Sequence, residues 1–345
     1  MTAAAVPSVP AAVEPDRDGV VDTFGRVHRD LRISITDRCN FRCTYCMPEE
    51  GMPWMPRDDL LTFEEIERVA SVFVRRLGFS SIRLTGGEPT VRANLPVLVA
   101  KLAALGADLS LTTNGASLGL LADDLAGAGL SRVNISLDSL RPDRFRAITK
   151  REALDHVLDG IDAALVAGLA PVKLNVVVVR GVNDDEVVDF ARFGRDRGVH
   201  VRFIEFMPLD AQGGWDTSQV VSRDEILSTV DAAFPLDRSA PSARHVDPAE
   251  TFRFADGIGS IGVISSVTQA FCDSCDRIRL TADGRLRNCL FAHDEADLRA
   301  ALRAGATDAD LIGIIEANVR AKWAGHQIGQ PVFVQPRRGM SQIGG

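Results

Sequence analysis

Six cysteines stand in two sets of three. Cys39, Cys43 and Cys46 fall within TDRCNFRCTYCMPEEG, Thr36 to Gly51, with the spacing CxxxCxxC; Cys272, Cys275 and Cys289 follow a CxxC-x13-C pattern. No cysteine lies between the sets or outside them. Sulfur-only donors select zinc, copper(I) or iron–sulfur clusters. In a reducing compartment such grouping reads as metal binding rather than as disulfide bonding. A closed structural zinc site takes four ligands, and a [4Fe–4S] cluster also takes four thiolates, one per iron. Three thiolates leave one iron with an exchangeable position that a small molecule can occupy. The alternative for the first set is a zinc ion completed by a distant histidine or by a cysteine of the second. For the second set it is a zinc site completed by His293, four residues past Cys289.

A second chemical signal is cationic. Arg277 and Arg279 sit at period two in RIR, so a strand there points both to one face. Arg32, Arg83 and Arg202 lie in or beside apolar, strand-like runs, and Lys173 begins another. Cations in such strands need partners. One kind of partner is a buried acid such as Glu205; the other is an anionic ligand, whose phosphates or carboxylates arginine grips bidentately.

The elements that must position these groups alternate. Candidate strands are LRISIT (31–36), SIRLT (81–85), DLSLT (108–112), RVNISL (132–137), VKLNVVVV (172–179) and HVRFIEFM (200–207). Their Val, Ile, Leu and Phe content suits buried strands. Helical patterns separate them. LTFEEIERVASVFVRRLGF offers Thr62 as N-cap, Glu65 as its capping-box partner and Gly78 as stop; NDDEVVDFARFGRDRG offers Asn183 as cap and Gly198 as stop. Six βα repeats predict a parallel sheet with right-handed crossovers, two repeats short of a complete eight-stranded barrel. The first cysteine set follows the first strand and TGGEPT follows the second, at the strand ends where βα proteins bind ligands. Gly86 and Gly87 allow close backbone approach there. Beyond residue 208 the pattern turns to hairpin-like strands, FRFADGIGSIGVISS and RIRLTADGRLRNCLF, and then to helices.

The remaining composition is that of a globular chain: 345 residues, 46% hydrophobic and 25% charged. A net charge of −8 argues against broad nucleic-acid binding, and no run has the length of a membrane span. The first twenty residues lack a positive n-region and carry Pro7, Pro10 and Pro15, which predicts a flexible lead-in rather than a signal peptide, and a cytoplasmic protein.

CxxxCxxC with an aromatic before its last cysteine, followed by a GGEP loop, resembles the signature of radical S-adenosylmethionine (SAM) enzymes. More closely, the chain resembles the molybdenum cofactor biosynthesis protein A family, the GTP 3′,8-cyclases. The likeness runs from FGRVHRDLRISITDRCNFRCTYCMP through RLTGGEPTVR, LTTNG, NISLDSL, RFIEFMP and CDSCDRIRLTADGRLRNCLF to the terminal GG. It implies an α/β fold, an incomplete (β/α)6 barrel over residues 30–208. A flexible lead-in (1–29) precedes it, an auxiliary-cluster segment (209–335) follows, and a mobile tail (336–345) ends the chain. It implies two [4Fe–4S] clusters on Cys39, Cys43, Cys46 and on Cys272, Cys275, Cys289, with SAM bound by Tyr45, Gly87, Ser136 and Met207. GTP would be held by Arg32, Arg83, Thr112, Lys173, Arg202, Arg277 and Arg279, with the guanine on the second cluster. Arg277, Arg279, Gly344 and Gly345 would serve catalysis, the tail reaching into the site. The implied reaction begins with a 5′-deoxyadenosyl radical taking hydrogen from C3′ of GTP; C3′ then bonds to C8 of the guanine. The implied partners are an electron donor such as a flavodoxin or ferredoxin and the next-step enzyme, cyclic pyranopterin monophosphate synthase. Association as a homodimer is compatible with the resemblance.

Overall fold

The apolar runs that punctuate the chain line up as the centre of one large sheet. The computed structural model describes residues 17–48, 50–209, 213–237 and 247–344. Two short strands, β1 (Val20–Val21) and β2 (Val27–His28), pair as an antiparallel ribbon. The six expected strands follow as β3 (Asp30–Ser34), β4 (Ser81–Thr85), β5 (Asp108–Thr113), β6 (Arg132–Ser136), β7 (Lys173–Val178) and β8 (His200–Glu205). Each pairs in parallel with the next. The C-terminal half adds β9 (Glu250–Arg253), β10 (Ser260–Ile264), β11 (Arg277–Leu280), β12 (Arg285–Arg287) and β13 (Ala296–Asp297).

The order across the sheet is β13-β12-β11-β3-β4-β5-β6-β7-β8-β10-β9. β10 adds in parallel to β8 and β11 in parallel to β3. The C-terminal segment thus supplies two parallel strands, one on each flank of the six. The sheet runs on past residue 208, with C-terminal strands on both flanks of the six. β10 and β11 are joined by residues 265–276 yet lie at opposite ends of the parallel run. Eight flat strands would span roughly 34 Å between those ends, and the joining loop is shortened by a helical turn at Cys272–Ser274. The run therefore curls, and the loop crosses the open seam of a partial barrel.

Alternation sorts the side chains. Leu31, Ile33, Ile82, Leu84, Leu111, Val133, Ile135, Leu174, Val201 and Phe203 point to one face and are buried beneath the helices. The other face carries Arg32, Arg83, Thr112, Ser136, Asn175 and Arg202 toward the lumen. Among the helices, Phe63–Ser71 starts at the expected Thr62–Glu65 capping box. Asn183 does not act as the expected cap. It is buried, donates to the Asp138 and Val177 carbonyls at 2.8 Å each, and accepts from the Val179 N–H. Those buried backbone groups outcompete a helix end that water can solvate.

Two end segments depart from expectation; residues 1–16 of the lead-in lie outside the described residues. Residues 17–29 do not trail as a flexible lead-in but form the β1–β2 ribbon, with Val20, Asp22, Arg26 and His28 buried. The tail is packed rather than mobile: Met340–Ile343 is a helical turn with Ser341 and Ile343 buried. Among the described residues no helix is long and apolar enough to cross a membrane.

Candidate active site

The strand ends and the seam loop surround a cavity of about 280 Å³. All six cysteines line it, together with Arg32, Arg83, Arg202, Arg277 and Arg279. Tyr45, Gly87, Thr112, Ser136 and Met207 line it too. Lys173 does not line it; its Nζ stands 3.3 Å from Asp247 Oδ2. Gly344 touches the site through its carbonyl, which accepts from Arg279 Nη1. Gly345 lies outside the described residues.

The first thiol loop is fixed by the GGEP turn. The Gly87 and Glu88 N–H groups donate to the Thr36 and Arg38 carbonyls at 2.7 Å each. A Cβ at Gly87 would meet Arg38 O at 2.4 Å, so only glycine permits the approach. Glu88 is buried and reads the next strand end, accepting from Thr113 Oγ1 at 2.7 Å and the Asn114 N–H at 2.6 Å. Asn114 in turn reaches Asn40 Oδ1 at 2.8 Å. Burial pushes the Cys39 thiol up to about 11 and the Cys46 thiol up to about 12. Cys43 rises too, through burial and then the nearby Cys46. Such thiols ionise only with a cation beside them, which a cluster iron supplies.

The second triad differs. Burial raises the Cys275 thiol, but Arg277 and Lys322 outweigh it and bring it down to about 6. Cys289 follows β12, whose Arg287 pins the next turn by donating to the Leu290 and Ala292 carbonyls. Gly325 packs so close that a Cβ there would meet Cys272 Sγ at 3.3 Å. Among the described residues no three His, Cys, Asp or Glu side chains converge on a point that would hold a single ion. The thiols of both triads line the cavity instead, and a [4Fe–4S] cluster takes one thiolate per iron. Both triads fit such a group.

The guanidiniums are crowded. Arg279, Arg32 and Arg83 are partners in register on adjacent strands. Burial, then the neighbouring Arg83, pulls Arg32 down to about 9. Burial pulls Arg202 down to about 10, and burial, then Arg32 and Arg277, hold Arg279 well below its ordinary value. Arg32 Nε is buried, 3.6 Å from Asp30 Oδ2, and makes no hydrogen bond among the described residues. Glu205 is not the acid that pairs these cations. It accepts from the Arg223, Val267 and Thr268 N–H groups instead. Arg202 is held by neutral groups, Asn175 Oδ1 at 2.8 Å and Asn134 Oδ1 at 2.6 Å. Crowded, under-neutralised guanidiniums make an anion site.

Sequence reading missed several members. Asp138, two residues past Ser136, accepts from the Tyr45 hydroxyl at 2.5 Å and from the Val177 N–H at 2.8 Å, and burial pushes its carboxyl up to about 6. Asn134 and Asn175 carried a signal: polar residues at alternate positions of apolar strands. Lys322 carried none, because its partner sulfur is distant in sequence.

With this geometry in place, comparison with known proteins is informative. Residues 33–194 match the radical SAM superfamily model and residues 199–328 the Molybdenum Cofactor Synthesis C model. GTP 3′,8-cyclase of Streptomyces coelicolor is 49% identical over 328 residues, 94% of this chain and 96% of that one. The protein of the same name from Rhodopirellula baltica is 49% identical over 338 residues, 96% of this chain and 93% of that one. Among solved structures, Streptococcus suis SuiB bound to S-adenosylmethionine superposes with a TM-score of 0.57 at 12% identity, covering 85% of this chain and 68% of that one. That likeness concerns the fold. Near-full-length identity of this order, together with the paired thiol triads and the arginine wall, places the chain in the GTP 3′,8-cyclase family of the radical SAM superfamily.

Proposed function

We propose that the chain is a GTP 3′,8-cyclase, forming (8S)-3′,8-cyclo-7,8-dihydroguanosine triphosphate on the route to the molybdenum cofactor. One observation carries the reading: both thiol triads and five guanidiniums line a single cavity. Membership of the radical SAM superfamily brings SAM and a [4Fe–4S] cluster, for which Cys39, Cys43 and Cys46 are the ligands proposed. When bound, that pair supplies a 5′-deoxyadenosyl radical able to take hydrogen from C3′. A second [4Fe–4S] cluster on Cys272, Cys275 and Cys289 offers an open position to the guanine base.

The chain's own work is placement. Joining two atoms of one substrate requires a fixed nucleotide conformation. Arg32, Arg83, Arg202, Arg277 and Arg279 clamp the triphosphate, with Thr112 beside them. Lys173 acts through Asp247, which also faces Arg202 at 4.0 Å. Tyr45, Gly87, Ser136 and Met207 form the SAM wall, and Asp138 orients Tyr45. Gly344 and Gly345 serve catalysis, Gly344 through the bond that its carbonyl accepts from Arg279. A flavodoxin or ferredoxin as donor, cyclic pyranopterin monophosphate synthase as consumer, a cytoplasmic setting and a homodimer complete the reading.

The test is anaerobic turnover of the iron- and sulfide-reconstituted protein with SAM, reductant and GTP carrying deuterium at C3′. Mass spectrometry should find a product isomeric with GTP and deuterium in the 5′-deoxyadenosine. Recovery of unchanged GTP with unlabelled 5′-deoxyadenosine would overturn the proposal.

A further inference from the structure

Lys322 stands just past the helix Asp308–Arg320, and its side chain is buried. Its Nζ donates to the Arg277 carbonyl at 2.9 Å and reaches Cys275 Sγ at 3.4 Å. The charges acting on it are Cys275, Cys289 and Arg277. A buried ammonium costs several kcal/mol unless an anion compensates it, and the anion that this geometry selects is the sulfur. The two residues after it are pinned as well. Arg26 donates to the Cys272 carbonyl at 2.9 Å, the Ala324 carbonyl at 2.8 Å and the Trp323 carbonyl at 2.6 Å. Arg26 is itself held by Asp22. The N-terminal ribbon therefore staples residues 323 and 324 to the loop that carries Cys272 and Cys275.

We propose that Lys322 is a positioning residue that raises the redox potential of the cluster held by Cys272, Cys275 and Cys289. The proposal rests on reading that triad as a [4Fe–4S] site. Hydrogen bonds to the sulfurs and net charge are among the terms that set such potentials. An ammonium on a ligand sulfur favours the reduced, more negative state. At the first triad the hydrogen-bond donors to sulfur among the described residues are neutral, the Phe41 N–H at 3.4 Å and Asn114 Nδ2 at 4.0 Å to Cys39 and the Ser341 N–H to Cys46, while the charge of Arg42 acts on Cys39 without a hydrogen bond to it. The same protein thereby holds two clusters of one type in unlike fields, the second the easier to reduce.

The test is a redox titration of the reconstituted full chain followed by electron paramagnetic resonance. Lys322→Met removes the charge at similar length. It should lower the midpoint of the second cluster, leave that of the first in place, and retain the iron of both; Lys322→Arg should restore the midpoint. An unmoved midpoint in Lys322→Met with both clusters intact overturns the assignment. Wild-type protein labelled with ¹⁵N-lysine gives a readout that needs no variant. A weak ¹⁵N hyperfine coupling to the reduced second cluster is expected, and its absence is equally fatal. A wild-type chain that holds iron at the first triad alone instead overturns the reading of the second triad, so the two failures are distinguishable.

Discussion

Arg279, Arg32 and Arg83 are neighbours in register across three adjacent strands, where strands lie roughly 4.8 Å apart. Like charges at that spacing, in a buried lumen, oppose folding until an anion arrives. Among the described residues Asp30 is the counter-charge acting on both Arg32 and Arg83, with Asp247 acting on Arg83 and Cys275 on Arg32. The cluster is retained because the ligand's phosphates complete it, and each guanidinium should count in GTP affinity rather than in the stability of the free protein. Arg279 is the sharpest test because it also holds the Gly344 carbonyl. Replacing it with alanine removes charge-assisted hydrogen bonds, each of about 1.5–3 kcal/mol. The kcat/KM for GTP should drop by roughly 10–100-fold per bond lost, while SAM affinity by equilibrium binding stays within about two-fold. Normal GTP turnover in that variant removes Arg279 from the substrate set.

Two short elements, the N-terminal ribbon and the C-terminal tail, carry obligations out of proportion to their length. His28 in the ribbon is fully buried, 3.1 Å from Asp22 Oδ2, and burial followed by the charge of Lys322 pushes it down to about 4. The fold thus favours neutral His28, while the unfolded chain binds its proton below an ordinary value near 6.5. Stability is complete above pH 6.5 and falls as pH drops from there toward 4. The slope is at most about 1.4 kcal/mol per pH unit. Urea unfolding of wild type and His28→Asn between pH 6.5 and 5 should show a smaller pH slope in the variant; equal slopes would remove His28 from the account. At the other terminus, Arg338 pairs with Asp283 at 2.9 Å and Glu295 at 2.8 Å. This half-buried fork holds the tail so that Gly344 lies where a Cβ would meet Thr85 Cγ2 at 2.5 Å. Arg338→Ala should speed carboxypeptidase removal of the tail and cut GTP turnover about ten-fold or more, with SAM binding unchanged. Protected termini with full turnover would contradict the latch. The ribbon was not legible in the sequence, and the tail's reach into the site came only from the family resemblance, for a physical reason. A strand of two residues has no period, and both termini are held by partners far away along the chain, such as Arg26 with residues 272, 323 and 324. The six long strands and the Thr62–Glu65 cap were legible because their signals are local. So were the thiol triads, since ligand type and spacing are written in the chain.

Over the whole molecule, the sequence reading stops two repeats short of a barrel, and the structure supplies the two parallel strands from the C-terminal segment. β10 and β11 were readable as hairpin members, but nothing in a linear pattern says that consecutive strands will land on opposite flanks of a sheet. That topology makes residues 265–276 the bridge across the seam, and the bridge carries two of the three thiols of the second triad. Its anchor is Glu205 at the end of β8, buried without exposure. Glu205 accepts from the Val267 and Thr268 N–H groups at 2.8 Å each, from the Thr268 hydroxyl, and from the Arg223 N–H at 2.9 Å. One carboxylate thus ties the last strand of the half-barrel to the bridge and to the helix Arg223–Ala233. Glu205→Ala leaves three backbone donors unpaired and should destabilise the protein by about 3–5 kcal/mol. The loss should be concentrated where the bridge begins. Iron and sulfide analysis with electron paramagnetic resonance should find the first cluster retained, the second depleted, and GTP turnover lost with it. Glu205→Gln keeps an acceptor for the N–H groups and should fall between. If Glu205→Ala instead keeps both clusters and turns over GTP normally, the bridge is held by other contacts and the seam does not govern the second site.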